Sequence, residues 1–301
     1  MLGRQLGYAS DHVRAMDVVT ADGQLRRVTT QQEADLFWAL RGCGKGGFGI
    51  VVAMEIALHP VTRLHGGGMH FSADTSAEVL HTYAAWAATA PEEMGSSVRL
   101  MRMPDVAGVP DQLRGRFVIH VRFAFTGTAD DGERLVRPFR DIGDVGTIHA
   151  EPTLPVAFHA RNSMLQALDT DAVDTLLQHA GPDAGAPYLV ELRHLGGVLS
   201  RPSAVPTALG RREGQFCLYA GAVANADEVG PLRSSLARLH DAMAPWGTGG
   251  VCLNFLAGPD VTGDQVRSAY LPPDLARLGN IKRKVDPTNT FRIGHPIAAW
   301  R

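Results

Sequence analysis

The 301-residue chain has little cysteine: Cys43, Cys217 and Cys252 are the whole supply. Three thiols so far apart make neither a disulfide framework nor a zinc site, so no metal site is expected and a reducing, cytoplasmic setting is the default. An excess of charge of one sign is also lacking. The formal net charge is −2, with lysine and arginine scattered, which argues against an extended nucleic-acid surface. The longest basic run, Lys282-Arg283-Lys284, reads as the solvated face of a helix. No apolar run approaches the ~18 residues needed to span a bilayer, and the first residues, MLGRQLGYASDHV, lack the apolar stretch of a secretory leader. No G-x-S-x-G elbow and no H-E-x-x-H helix occur, so serine-hydrolase and zinc-protease chemistry have no motif to rest on. The two histidines of HGGGMH, His65 and His70, fall on opposite faces of a strand and suit no shared ion. Internal repeats and low-complexity linkers are missing too.

What remains is a hydrophobic fraction of 45% and a charged fraction of 20%, the balance of an ordinary soluble globular protein. The length suits two domains or one large one. Asp22-Gly23, between two strand-like runs, predicts a hairpin. EADLFWALRG reads as a short amphipathic helix with Leu36, Phe37 and Leu40 on one face, ended by glycines. FGIVVAMEIALHPV, β-branched and closed by Pro60, predicts a buried strand. From about residue 64 the texture changes. Thr75 and Glu78 form a capping-box pattern ahead of Val79, Tyr83 and Trp86 at helical spacing. Phe117, Ile119, Val121, Phe123 and Phe125 alternate along a strand with one buried face. LVELRHLGGVLSR, GQFCLYAGAVA and GGVCLNFLAG predict three more strands. Leu232, Leu236, Leu239 and Met243 mark a helical stripe between the last two. The stretch from about 64 to 256 is therefore expected to be an antiparallel sheet with helices on one face.

The most distinctive segment is RGCGKGGFGIVV, Arg41 to Val52, with five glycines around Lys45. It contains G-x-G-x-x-G, but the order is helix, glycines, strand, the reverse of a dinucleotide fingerprint. The residue after Lys45 is Gly46 at the wrong spacing for a Walker loop. Two readings stay open: a tight helix-to-strand loop, or backbone that must approach something closely.

At this point the sequence resembles a family. DHVRAMDVVTADGQL and EADLFWALRGCGKGGFGIVVAMEIALHPV look like the second half of the flavin domain in berberine-bridge-enzyme-like oxidases, of the vanillyl-alcohol-oxidase (PCMH) type. VCLNFLAGPD and DLARLGNIKRKVDPTNTFRIGHPI are similar to the family's C-terminal return to the flavin, and ELRHLGGVLSR and PTALGRREGQF stand in the expected order between them. The resemblance implies an α+β fold: a remnant of a PCMH-type FAD-binding domain (residues 1–62 and 257–301) and a substrate domain of antiparallel sheet covered by helices (63–256). It implies FAD as cofactor and hydride transfer from a small organic substrate, an alcohol, sugar or alkaloid-like amine, with oxygen as a possible acceptor. Backbone groups of Val18, Val19, Thr20, Gly46, Gly47, Phe48, Gly49, Ile50 and Val51 would meet the adenine, ribose and pyrophosphate, with Lys45 adding charge. Asn254 and Arg292, with Asn289 and Phe291, would lie near the isoalloxazine and the domain junction. His120, Arg122, Arg193 and His194 are candidates to line the substrate pocket.

The sequence departs from the family pattern at several places. It aligns from inside the flavin domain onward, and no R-S-G-G-H-like loop that would bond the flavin covalently occurs, so FAD is expected to be non-covalent at most. Gly47 stands where the family commonly has Asn. Cys252 stands at a frequent position of the catalytic Tyr, and is the candidate base. Gly294 and Pro296 replace two Asn, and Asp274-Leu275 replaces an Asn-Tyr pair. Two expectations follow: an FAD-dependent oxidoreductase represented by a late-starting sequence, or a truncated, non-catalytic relative that acts as a binding or partner protein. With part of the flavin domain unmatched, the apolar strand FGIVVAMEIALHP would lack cover, so an oligomer or a partner is expected on that face.

Overall fold

The computed structural model describes the chain apart from residues 1, 46, 106–108, 110, 112, 144–157, 226, 257–260, 296 and 298–301. Its described strands form two antiparallel sheets. The first has the order β2-β1-β3, with β1 Val13–Val19, β2 Leu25–Val28 and β3 Ile50–Ile56. The Asp22-Gly23 turn joins β1 to β2 as its sequence dictates. Gly23 has φ of 76°, and Asp22 Oδ1 accepts from Thr20 Oγ1 at 2.6 Å and from Gln24 N–H at 3.1 Å. Helix α2 (Ala34–Leu40) buries Leu36, Phe37 and Trp38 beneath this sheet; the four-residue α1 (Gly3–Leu6) precedes β1.

The second sheet has the order β4-β6-β5-β8-β9-β7. Its strands are β4 His65–Ser72, β5 Met94–Arg102, β6 Phe117–Phe125, β7 Phe158–Leu165, β8 Leu189–His194 and β9 Phe216–Val223. Helices α3 (Ser76–Thr89), α4 (Ala129–Ile142), α5 (Thr170–Ala180) and α6 (Val229–Ala242) cover one face. The alternation read in β6 is realised there: Ile119, Val121, Phe123 and Phe125 enter the core. Val79, Tyr83 and Trp86 of α3 and Leu232, Leu236 and Leu239 of α6 meet it from above.

Buried apolar side chains form two large clusters among the described residues. One belongs to the second sheet and its helices. The other gathers β1, β2 and α2 with Ala208, Leu253, Leu256, α7 (Gly263–Ser268), α8 (Pro272–Val285) and Ile297. The N-terminal segment bridges the two through buried arginines. Arg4 donates to the carbonyls of Met94 and Ala90, both at 2.9 Å, and to His194 Nε2 at 2.7 Å. Arg212 grips the carboxylate of Asp11 with two bonds of 2.9 and 2.6 Å, a forked geometry that fixes orientation.

Four expectations are corrected. β3 is exposed at every position rather than buried, because it is an edge strand with no element over it among the described residues. VCLNFL is not a strand: after Cys252 the chain turns into a single 3₁₀ turn, Leu253–Phe255, and the rest of that predicted strand lies outside the described residues. Thr75 precedes α3, but its hydroxyl donates back to Ser72 O at 3.2 Å and no capping box forms. Lys282 is not on a solvated face. It is buried on α8, with its ammonium on Asp286 Oδ2 at 2.5 Å, on Phe291 O at 2.9 Å and on Gly47 O.

Candidate functional site

The face of the second sheet opposite its helices is polar, and the strand register sorts it into two rows. One runs Gly68, Arg122, Ser97, Arg193, Cys217, Met164. The neighbouring row runs His70, His120, Arg99, Glu191, Tyr219, Asn162. Directly paired residues of antiparallel strands project to the same side, so twelve positions from six strands share one surface. Gly68 is glycine for a local reason: a Cβ there would collide with the His120 ring.

At the centre of this face lies Glu191, only 2% exposed. Arg99 Nε donates to it at 3.0 Å, Arg122 Nη2 at 2.5 Å and Arg193 Nη2 at 3.3 Å. Burial pushes the carboxyl up, but the charges of Arg193, Arg99 and Arg122 outweigh it and hold the group below the usual range. Three guanidiniums to one carboxylate leave this surface net positive. His120 stacks on His70 with ring centres 3.9 Å apart. Burial, then the positive neighbours His70, Arg122 and Arg99, lowers its pKa to about 3, so it is neutral.

The turn after Cys252 packs on one end of the polar face. Asn162 Oδ1 accepts the Cys252 N–H at 2.7 Å, and the Met164 N–H reaches Gly250 O at 2.9 Å. Arg193 stacks over Phe255 at 4.5 Å, and Tyr219 lies 5.5 Å from the same ring. Here the thiols of Cys252 and Cys217 are neighbours. The Cys217 thiol is the main cause that holds Cys252 below the usual thiol range; burial opposes it, and the N–H groups of Asn254 and Phe255 and the charge of Arg193 assist. Cys217 is correspondingly raised.

Cys252 and Asn254 line a cavity of about 290 Å³ between the two sheets, with Tyr8, Gly42, Met54 and Ile56 among its other walls. Its volume is near the lower end of the ~300–1,000 Å³ usual for small-molecule sites. Two other hollows, about 340 and 510 Å³, lie beside Gln5 and His59 and beside Ser203 and Asp274; neither includes a residue of the polar rows. The apolar wall of Met16, Met54, Ile56 and Leu253 with a polar edge of Tyr8, Cys252 and Asn254 fits a flat aromatic heterocycle such as an isoalloxazine.

The sequence-predicted cofactor residues scatter around this cavity. Cys252 and Asn254 line it. Ile50 and Val51 stand exposed on β3, whose outer edge has no strand beside it among the described residues. Arg292 is exposed beside the half-buried Phe291. Val18 and Phe48 have fully buried side chains. Val18 and Val19 sit in the middle strand of the first sheet, paired on both sides, so their backbone groups serve the ladders. The Thr20 hydroxyl and N–H are taken by Asp22 and Gln24. Gly46 lies outside the described residues. Gly42, Gly44, Gly47 and Gly49 face their own chain: added Cβ atoms would collide with Leu209, Leu253, Phe291 O and Val18 respectively. Their packing therefore explains the glycines without a phosphate. Lys45 Nζ donates to Leu256 O at 3.0 Å.

His120, Arg122 and Arg193 share the polar face, whereas His194, one residue on, points the other way and accepts from Arg4. Sequence reading missed Tyr8, Asn162, Glu191 and Cys217. The period-2 alternation of Arg99, Glu191, Cys217 and Tyr219 against apolar neighbours was the available signal.

The chain is 21% identical over 311 residues to an FAD-linked oxidoreductase of Dictyostelium discoideum, covering 97% of this chain and 64% of that protein. It is 24% identical over 316 residues to a carbohydrate oxidase of Microdochium nivale, covering 95% of this chain and 63% of the relative. It thus spans somewhat under two thirds of these curated relatives. No protein-family model matches. Among solved structures, BBE-like 1 of Physcomitrella patens superposes with a TM-score of 0.79 at 17% identity, over 100% of this chain and 68% of the other. A berberine bridge enzyme variant in complex with (S)-reticuline gives 0.77 at 19%, over 100% and 68%. The architecture is therefore that of the berberine-bridge-enzyme-like flavoproteins. The relatives that it matches in sequence are FAD-linked oxidoreductases. Among the described residues, no helix is long and apolar enough to cross a membrane.

Proposed function

We propose that the chain acts as an FAD-dependent oxidoreductase that oxidises a hydroxyl-bearing small organic molecule, such as a sugar. The observation that carries this is the cavity between the sheets, with an ionisable thiol, Cys252, in its wall. A bound flavin supplies the two-electron oxidation of the substrate carbon, with oxygen as the electron acceptor. Cys252 accepts the proton of the substrate hydroxyl, as a base poised near neutrality does best. Asn254, Tyr8 and the backbone around Gly42 and Gly44 hold the ring, and Arg292 serves the rest of the cofactor. FAD is held non-covalently. Residues 1–62 with 257–301, and residues 63–256, act as the flavin-side and substrate-side units.

The charge of the polar face narrows the substrate class. Three arginines around one glutamate disfavour a protonated alkaloid-like amine and favour neutral or acidic hydroxyl compounds. The exposed apolar β3 is covered by association, and the simplest cover is a second copy of the chain. A purely non-catalytic role has no observation in its favour. An absorbance spectrum of the purified chain after incubation with FAD and gel filtration tests the reading. The expected result is a retained flavin spectrum, released by acid precipitation and bleached anaerobically by a sugar. Flavin that passes through unbound, or bound flavin that no hydroxyl compound bleaches, would overturn it.

A further inference from the structure

Two neighbouring thiols, one of them in the wall of a cavity, can do more than accept a proton. Cys252 is half-buried and reaches the cavity, whereas Cys217 behind it is 1% exposed. Cys217 is fixed on β9, opposite Arg193 on one side and Met164 on the other. Cys252 is fixed by the Asn162 bond to its N–H and by the Gly250 and Thr248 bonds to Met164. Both cysteines are therefore held against β7. Arg193 and Tyr8 are their ionisable neighbours, with Glu191 behind Arg193. Cys43 is buried in the other core.

We propose that Cys252 and Cys217 form a peroxide-responsive dithiol, in which Cys252 is the attacking thiolate and Cys217 the resolving thiol. Exposure of an ionised thiol with a second thiol within reach is the arrangement that makes cysteine oxidation site-selective and reversible. In the first step the Cys252 sulfur attacks a peroxide oxygen; the O–O bond breaks, Cys252 becomes a sulfenic acid and hydroxide leaves. In the second, the Cys217 sulfur attacks the Cys252 sulfur, an S–S bond forms, and the sulfenic oxygen leaves as water with the Cys217 proton. Two thiols lose two electrons in total, and one peroxide becomes two waters. Closure ties the 252–255 turn to β9 and removes the thiolate from the cavity wall. The step needs no flavin, so it stands or falls apart from the oxidoreductase reading.

The test uses the reduced 301-residue chain without FAD. Iodoacetamide at neutral pH is expected to alkylate Cys252 first, with Cys43 and Cys217 labelled only after denaturation. Hydrogen peroxide is expected to lower the intact mass by two hydrogens, with a Cys217–Cys252 peptide seen on mapping and the mass restored by a reductant. Cys217→Ser should stop at a sulfenic acid on Cys252 that dimedone traps, and Cys252→Ser should abolish both products. Labelling of all three thiols only after denaturation, a disulfide that involves Cys43, or over-oxidation of wild type without an internal disulfide would each overturn the proposal.

Discussion

His120, His194 and His240 all carry imidazoles that burial holds neutral. For each, burial is the largest cause, assisted by His70 and two arginines at His120, by Arg4 at His194 and by Arg161 at His240, and each pKa falls to about 3. At His194 the reason is visible: Arg4 can only donate, so Nε2 must accept. In the unfolded chain these groups protonate near 6.5, whereas in the folded chain they resist until about 3. Between those limits the unfolded state binds more protons, so stability is complete above pH 6.5 and falls as pH drops toward 3. The urea midpoint is expected to decline steadily from pH 6.5 to 4, before ordinary carboxylates titrate. A midpoint that stays level over that interval would contradict neutral burial. The family resemblance brought His120, Arg122 and Arg193 to notice in the sequence; each is also a polar residue inside an apolar alternation. Glu191 carried the same alternating signal, but nothing local says that three arginines from three strands will converge on it.

The elements around the glycine loop were partly legible. Helix, glycines and strand follow one another from Ala34 to Ile56 as their propensities dictate, and a Walker or dinucleotide loop was excludable from order alone. The partner that the glycines approach was not legible, because it comes from residues 208–209, 253 and 291, far along the chain. Lys282 shows the same limit. Within Lys282-Arg283-Lys284 nothing distinguishes the three, yet helix phase turns only Lys282 inward, onto Gly47 O, Phe291 O and Asp286. Burial pushes the Asp286 carboxyl up, but bonds from Lys282 and from the N–H groups of Phe291 and Thr290 outweigh it and hold it below the usual range. Lys282→Met removes the cation from this junction and leaves the buried carboxylate with amides alone. Loss of one partner of a buried pair costs about 3–5 kcal/mol, so the variant should melt several degrees lower and its 44–49 loop should become susceptible to protease. Arg283→Met and Lys284→Met, changed in the same helix, serve as controls and should melt like the parent. A Lys282→Met protein as stable and as protease-resistant as those controls would show that the ammonium does not hold the loop.

For the whole molecule, the decisive feature is the sheet that the chain leaves open. Ile50, Val52, Met54 and Ile56 are 56%, 58%, 53% and 42% exposed, and Leu58 follows at 89%. The apolar run was plain in the sequence, but a run of β-branched residues is the signature of a strand buried on both faces, and composition cannot reveal that no element of the same chain will cover it. An edge strand with unpaired backbone groups and apolar side chains is a template for another strand. β3 lacks the devices that blunt such edges: its one charged residue, Glu55, is engaged by Arg27 at 2.8 Å, and no proline interrupts it. A second copy can add its own β3 antiparallel about a twofold axis, so that one patch satisfies both chains. Each large side chain removed from water there contributes up to ~1.5–3 kcal/mol, enough for a few of them to drive association at micromolar concentration. Sedimentation of the 301-residue chain is therefore expected to report a dimer or larger species that dissociates on dilution. Val52→Lys with Met54→Glu should give a monomer of unchanged circular dichroism, since neither side chain belongs to a buried core. A wild-type chain that sediments as a monomer at tens of micromolar would mean that the open sheet is stable in water without cover, and the partnering role assigned to β3 would fall.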